Sequence, residues 1–77
     1  MIDDAYEICR HIKRYQQKNC YAPLRAMVVH WCSEEFLGQL VANDIVKVLP
    51  LAEHGPSVAV VLTEKGSRMA DAERRRR

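Results

Sequence analysis

Two cysteines and two histidines, Cys9, His11, His30 and Cys32, are the residues of this chain whose types could make a structural zinc site. Their spacing argues against it. CRH and HWC are both i,i+2 pairs inside stretches with helical patterning, so the members of each pair point to different faces, and the chain has no CxxC or HExxH. Thiol catalysis finds no better footing, because none of Cys9, Cys20 and Cys32 has a clear base and orienting acid in a loop. Glu34 and Glu35 could do acid–base chemistry only beside a concave pocket, and an acidic helix N-terminus already accounts for them. His11, His30 and His54 are scattered over helix, helix and turn patterns, while Gly38, Gly55 and Gly66 stand isolated and form no phosphate-cradling motif. The chain therefore reads as a protein that is not an enzyme, with no metal and no cofactor implied.

What remains is recognition. The 77 residues are 48% hydrophobic and 29% charged, the balance of an ordinary globular chain. At this length one domain is expected, burying only about 60% of its unfolded surface. Twelve Lys and Arg against ten Asp and Glu give +2, but four of the bases are Arg74, Arg75, Arg76 and Arg77; without them eight bases face ten acids, or −2. Residues 1–73 are thus a slightly acidic domain carrying a basic tail at 74–77, and any nonspecific attraction to nucleic acid rests on that tail. No apolar run approaches the roughly 20 residues of a membrane span. MIDDAYE lacks the basic-then-apolar order of a secretory signal, so the expected address is cytoplasmic and the three cysteines are expected to be reduced, buried thiols.

The elements that must position these residues follow from periodicity. From Asp3 to Lys18, Ala5, Ile8, Cys9, Ile12 and Tyr15 fall near one helical stripe, with acids early and Arg10, Lys13, Arg14 and Lys18 later, as the helix dipole favours. Those bases are not fully compensated within the helix and could serve a phosphate or an acidic surface. Asn19 to Ala22 interrupt the pattern, and Pro23 suits the first turn of a second helix running to about Trp31. Trp31, a lone aromatic, is read as core rather than as a stacking platform. Ser33 caps a third helix with Glu34 and Glu35 in its first turn and Phe36, Leu37, Leu40 and Val41 on its packed side. After Asn43 and Asp44, which tolerate left-handed backbone, the period changes. Ile45 to Leu51 and Ser57 to Leu62 read as two strands of a hairpin around Glu53, His54, Gly55 and Pro56, and Pro50 places the first on an edge. Thr63 caps a last helix from Glu64, which Gly66 weakens. The sum is an α+β domain, a three-helix core with a two-stranded β wing and a short C-terminal helix.

Across residues 5–70 this order resembles the winged helix-turn-helix family, and somewhat the N-terminal DNA-binding domains of LexA-type repressors. NCYAP occupies the place of their helix-to-helix link. FLGQLVANDIVKV follows their L-x-x-L-x-x-x-G-x-I pattern through Leu37, Leu40, Asp44 and Val46, with Asp44 in the glycine's place, and VAVVLTEKG is similar to the strand-to-helix exit of several winged-helix regulators. The resemblance implies a sequence-specific, double-stranded-DNA-binding transcription regulator that inserts the Ser33–Ala42 helix into the major groove. Gln39 would contact adenine, Arg25 a phosphate, and His54 the minor groove or backbone; Ser33 stands at the entry of that helix, with Lys47 and Arg74 to Arg77 as further phosphate contacts. Glu34 and Glu35 stand where the family offers Ser, Thr or Arg. The rival reading is a winged-helix module for protein interaction or dimerisation, engaging a basic partner through Glu34 and Glu35. A homodimer is expected through a surface that combines the first helix with the C-terminal helix, with Tyr6, Ile8 and Met69 near the seam.

Overall fold

The computed structural model describes residues 1–50 and 58–72. Among them the order is α1 Ala5–Asn19, α2 Arg25–Trp31, α3 Glu34–Ala42, β1 Val46–Pro50, β2 Val58–Leu62 and α4 Glu64–Ala72. This is an α+β arrangement of helices and a two-stranded antiparallel sheet, compatible with a winged helix. His54 and Arg74 to Arg77, singled out in the sequence, lie outside the described residues, as does the loop from Leu51 to Ser57.

Helix α1 starts where Asp4 Oδ1 accepts the backbone N–H groups of Tyr6 at 2.8 Å and Glu7 at 3.4 Å, satisfying two of the unpaired donors of a helix N-terminus. It buries Ile8, Cys9 and Ile12, which join Val28, Cys32, Leu37, Leu40, Ile45, Val46, Val60 and Ala70 in one core. Helix α1 packs extensively on α4, and Lys13 Nζ bonds Asp71 Oδ1 at 2.7 Å across that contact. The two helices expected to combine into a dimer surface thus lie side by side within one chain. Ile8 is 0% exposed and cannot meet a partner, Met69 packs partly buried against the core, and Tyr6 stays at the surface.

Pro23 does not open α2. The helix begins after Leu24, which has no side-chain cap, and the preceding residues dock on the sheet instead: Val60 N–H donates to Pro23 O at 2.9 Å, and Leu24 bridges Ala59. These bonds occupy the edge of β2 away from β1, with Leu24 extended and Pro23 buried. The β1–β2 register runs from Val46 opposite Leu62 to Pro50 opposite Val58, which puts the proline at the end of an edge strand.

The junction of α3, the sheet and α4 is tied by a dense set of hydrogen bonds. Ile45 N–H donates to Leu40 O at 2.9 Å and Asp44 N–H to Val41 O at 3.0 Å, the paired bonds of a Schellman motif, with Asp44 left-handed at φ 62°. The glycine position of the sequence pattern is thus a left-handed helix exit, which aspartate fills at lower steric cost than most residues. Thr63 Oγ1 accepts Gly66 N–H at 3.1 Å and turns its own proton toward the carbonyls of Asp44 at 2.6 Å and Ile45 at 3.0 Å. Helix α4 consequently lies so close to the Ile45 backbone that a Cβ at Gly66 would collide with the Ile45 carbonyl oxygen. Gly66 is a packing requirement as well as a weak helix former.

Candidate nucleic-acid interface

Helix α3 is held from three sides. Ser33 Oγ accepts Phe36 N–H at 3.0 Å at its start, Leu37 and Leu40 anchor its inner face at 2% exposure each, and the Schellman motif closes its end. Val41, expected on the packed side, is 41% exposed. Successive helix residues are rotated by about 100°, so the position after Leu40 leaves the core stripe. The outward surface comprises Glu34, Glu35, Gly38, Gln39, Val41 and Ala42.

Arg25 Nη2 meets Glu34 Oε2 at 2.8 Å, joining the first turn of α2 to the first turn of α3. Arg25, Ser33 and Glu34 are therefore gathered at one end of the exposed helix. Gln39 lies farther along, beside a shallow groove lined by Met1, Ile2, Asp3, Cys32, Ser33, Glu35, Phe36 and Gln39. The N-terminal segment is pinned there by Ile2 N–H donating to Trp31 O at 2.9 Å. Gln39 thus shares its groove with the carboxylates of Asp3 and Glu35. Lys47 is exposed as the second residue of β1. Gly38 faces open space: a Cβ there would meet nothing within 4 Å.

A second surface joins two of the bases that α1 leaves uncompensated, Arg14 and Lys18, to an aromatic cluster. Trp31 is not a lone aromatic: His11 packs against it edge to face at 4.5 Å between ring centres, Tyr15 lies against it at 5.6 Å, and Tyr15 in turn meets Tyr21 edge to face at 5.8 Å. Tyr15 O–H also points to Met27 Sδ at 3.6 Å. Hydrogen bonding with Tyr21, then burial and the Tyr21 charge, raise the Tyr15 phenol above its ordinary value. A groove along α1 passes this cluster, lined by His11, Arg14, Tyr15, Lys18 and Asn19. The i,i+4 repeats His11–Tyr15 and Arg14–Lys18 were legible as neighbours on one helix surface. Their meeting with Tyr21 and Trp31 was not.

The cysteines divide. Cys9 and Cys32 are buried; burial, helped by the Asp4 charge, pushes the Cys9 thiol up to about 11, and Cys32 Sγ donates to Val28 O at 3.2 Å. Cys20, expected to be buried, is exposed and left-handed at φ 65°, where its N–H bonds Gln16 O at 2.8 Å and ends α1. Among the described residues no three His, Cys, Asp or Glu side chains converge on a point that could hold a metal ion, and no helix is long and apolar enough to cross a membrane. No family model matches the chain, and neither a curated protein nor a solved structure is significantly similar to it.

Proposed function

We propose that this chain is a winged-helix regulator of transcription that docks α3 on double-stranded DNA. The observation that carries the reading is Gly38. A glycine in a helix interior costs about 1 kcal/mol relative to alanine, and no neighbour in the described chain requires one at this exposed position. Its use lies with a partner that approaches the helix backbone closely. Beside it, Gln39 is exposed and can pair with the two major-groove positions of adenine. Arg25 is held at the start of the same helix by an exposed ion pair, an interaction weak enough for a phosphate to exchange for Glu34. Ser33 caps that end, and Lys47, His54 and Arg74 to Arg77 are proposed as outlying backbone contacts. One such module covers roughly 600–1,000 Å² on DNA, so a homodimer on a two-fold site is the proposed working form, with Tyr6 the remaining surface candidate for its seam.

Selection from pooled random duplexes at two salt concentrations tests this. Gln39→Ala should relax sequence preference, and Arg25→Ala should weaken all sequences alike; no effect of either on a selected duplex sinks the assignment.

A second reading, docking of a basic protein surface, is favoured by one observation: the carboxylates of Asp3 and Glu35 share the groove with Gln39, and Glu34 adjoins it in sequence. The two readings respond oppositely to Glu34→Lys with Glu35→Lys. Charge reversal strengthens binding to duplex DNA and abolishes capture of a basic partner.

A further inference from the structure

The face built from α1 and the start of the α1–α2 link has charge and aromatic chemistry that α3 lacks. Arg14 and Lys18 are one helical turn apart, a like-charge pair that weakens a helix by about 0.2–0.5 kcal/mol. Lys13 on the same helix is neutralised by Asp71, but among the described residues neither Arg14 nor Lys18 has an acidic partner within ion-pair distance. The groove between them is lined by His11, Arg14, Tyr15, Lys18 and Asn19 and contains no carboxylate. Tyr21 does not line the groove itself but meets Tyr15, which does, edge to face at 5.8 Å, and at 61% exposure leaves ring surface open to solvent.

We propose that this face binds single-stranded DNA, with a base stacked on Tyr21 and consecutive phosphates held by Arg14 and Lys18. Cations along a groove combined with an aromatic platform form the recognition chemistry of unpaired strands: stacking needs a base face that a duplex conceals, and the phosphates supply the negative charge. An acidic peptide would satisfy the cations and leave the tyrosine unused. A ribose hydroxyl is read by a polar side chain near the sugar, and the one amide of this groove, Asn19, has a donor engaged by Tyr15 O at 3.0 Å, which leaves it less to offer that hydroxyl. The assignment is therefore to DNA. It is independent of the duplex reading of α3, because it uses none of the same residues.

Trp31 is the single tryptophan of the chain and touches both His11 and Tyr15, so its fluorescence reports on this face directly. Titrating the full chain with a short oligothymidylate should change that fluorescence saturably. A duplex of the same length should leave it unchanged, an oligouridylate should bind more weakly, and polyglutamate should not compete. Tyr21→Ala should weaken binding about 5-fold or more while Tyr21→Phe retains it, one stacked base being the difference. Arg14→Ala with Lys18→Ala should lower the salt slope of log K by about 1.4, two single-strand phosphate contacts, with unchanged circular dichroism confirming the fold. Gln39→Ala should leave the titration as it is, so failure here and failure of the α3 reading are separable. An unaltered affinity for Tyr21→Ala, an unaltered slope for the double variant, equal competition by polyglutamate, or equal or tighter binding of RNA would each overturn the proposal.

Discussion

Gly66 in α4 and Gly38 in α3 both sit within helices at a cost of about 1 kcal/mol against alanine, but a Cβ at Gly66 would strike the Ile45 carbonyl, whereas one at Gly38 would meet nothing within 4 Å. The α4 glycine is explained inside the chain, by the close approach of the helix to the α3–β1 junction. The α3 glycine is not, and the proposed duplex partner is what would account for it. The same contrast runs through the charges. Lys13 is matched by Asp71 across the α1–α4 contact, while α3 carries Glu34 and Glu35 outward and, among the described residues, only Glu34 has a cation, Arg25. Gly66 and Lys13, which face another element of this fold, meet neighbours that account for their size and sign. Unexplained choices gather on the outer faces of α1 and α3.

The largest effect is expected at Gly66. Gly66→Ala should destabilise the fold by about 3 kcal/mol, because the obstacle is backbone and cannot rotate away; urea unfolding midpoints measure it, and a neutral result would mean that α4 does not sit on Ile45 as described. Thr63→Val should cost about 2 kcal/mol in the same assay, since it removes the cap of Gly66 N–H and the hydroxyl that bonds the Asp44 and Ile45 carbonyls together. Gly38→Ala has the opposite sign: a stability gain of up to about 1 kcal/mol, accompanied by weaker binding to a selected duplex. A gain in stability with undiminished duplex binding would remove the main support for docking through α3.

The smallest effect at neutral pH belongs to Cys9. Its thiol titrates at about 11 in the folded chain against 9.0 when unfolded. The folded state therefore holds the proton more tightly, so this contribution to stability is complete below pH 9 and is lost as the pH rises through 11. Unfolding midpoints should fall over that window, and Cys9→Val should flatten the slope whatever it does to stability at pH 7.

Much of the fold was legible because its signals are local. Serine before two glutamates announces a helix start, and Ser33 caps α3 as expected; Thr63 before Glu64 does the same for α4. Asn43 and Asp44 marked the exit from α3, and the left-handed residue is Asp44. The candidate site was less legible. Arg25, Ser33 and Gln39 could be named by type, but the ion pair that occupies Arg25 and the carboxylates around Gln39 come from separate elements. Trp31 was read as isolated because Tyr15 and His11 lie 16 and 20 residues earlier.

Caps, the apolar stripe of α1, the Leu37–Leu40 anchor and the hairpin strands were determined by the sequence itself, since each depends on neighbours within about one helical turn or on strand alternation. Tertiary structure alone decided that Pro23 and Leu24 serve the edge of β2 rather than a helix start, that Ile8 faces the core rather than a second copy, and that Gly66 must have no side chain. Each of these turns on a contact between segments about 20 or more residues apart. Periodicity tells which side of an element is apolar, but the identity of what covers that side exists only once the chain has folded.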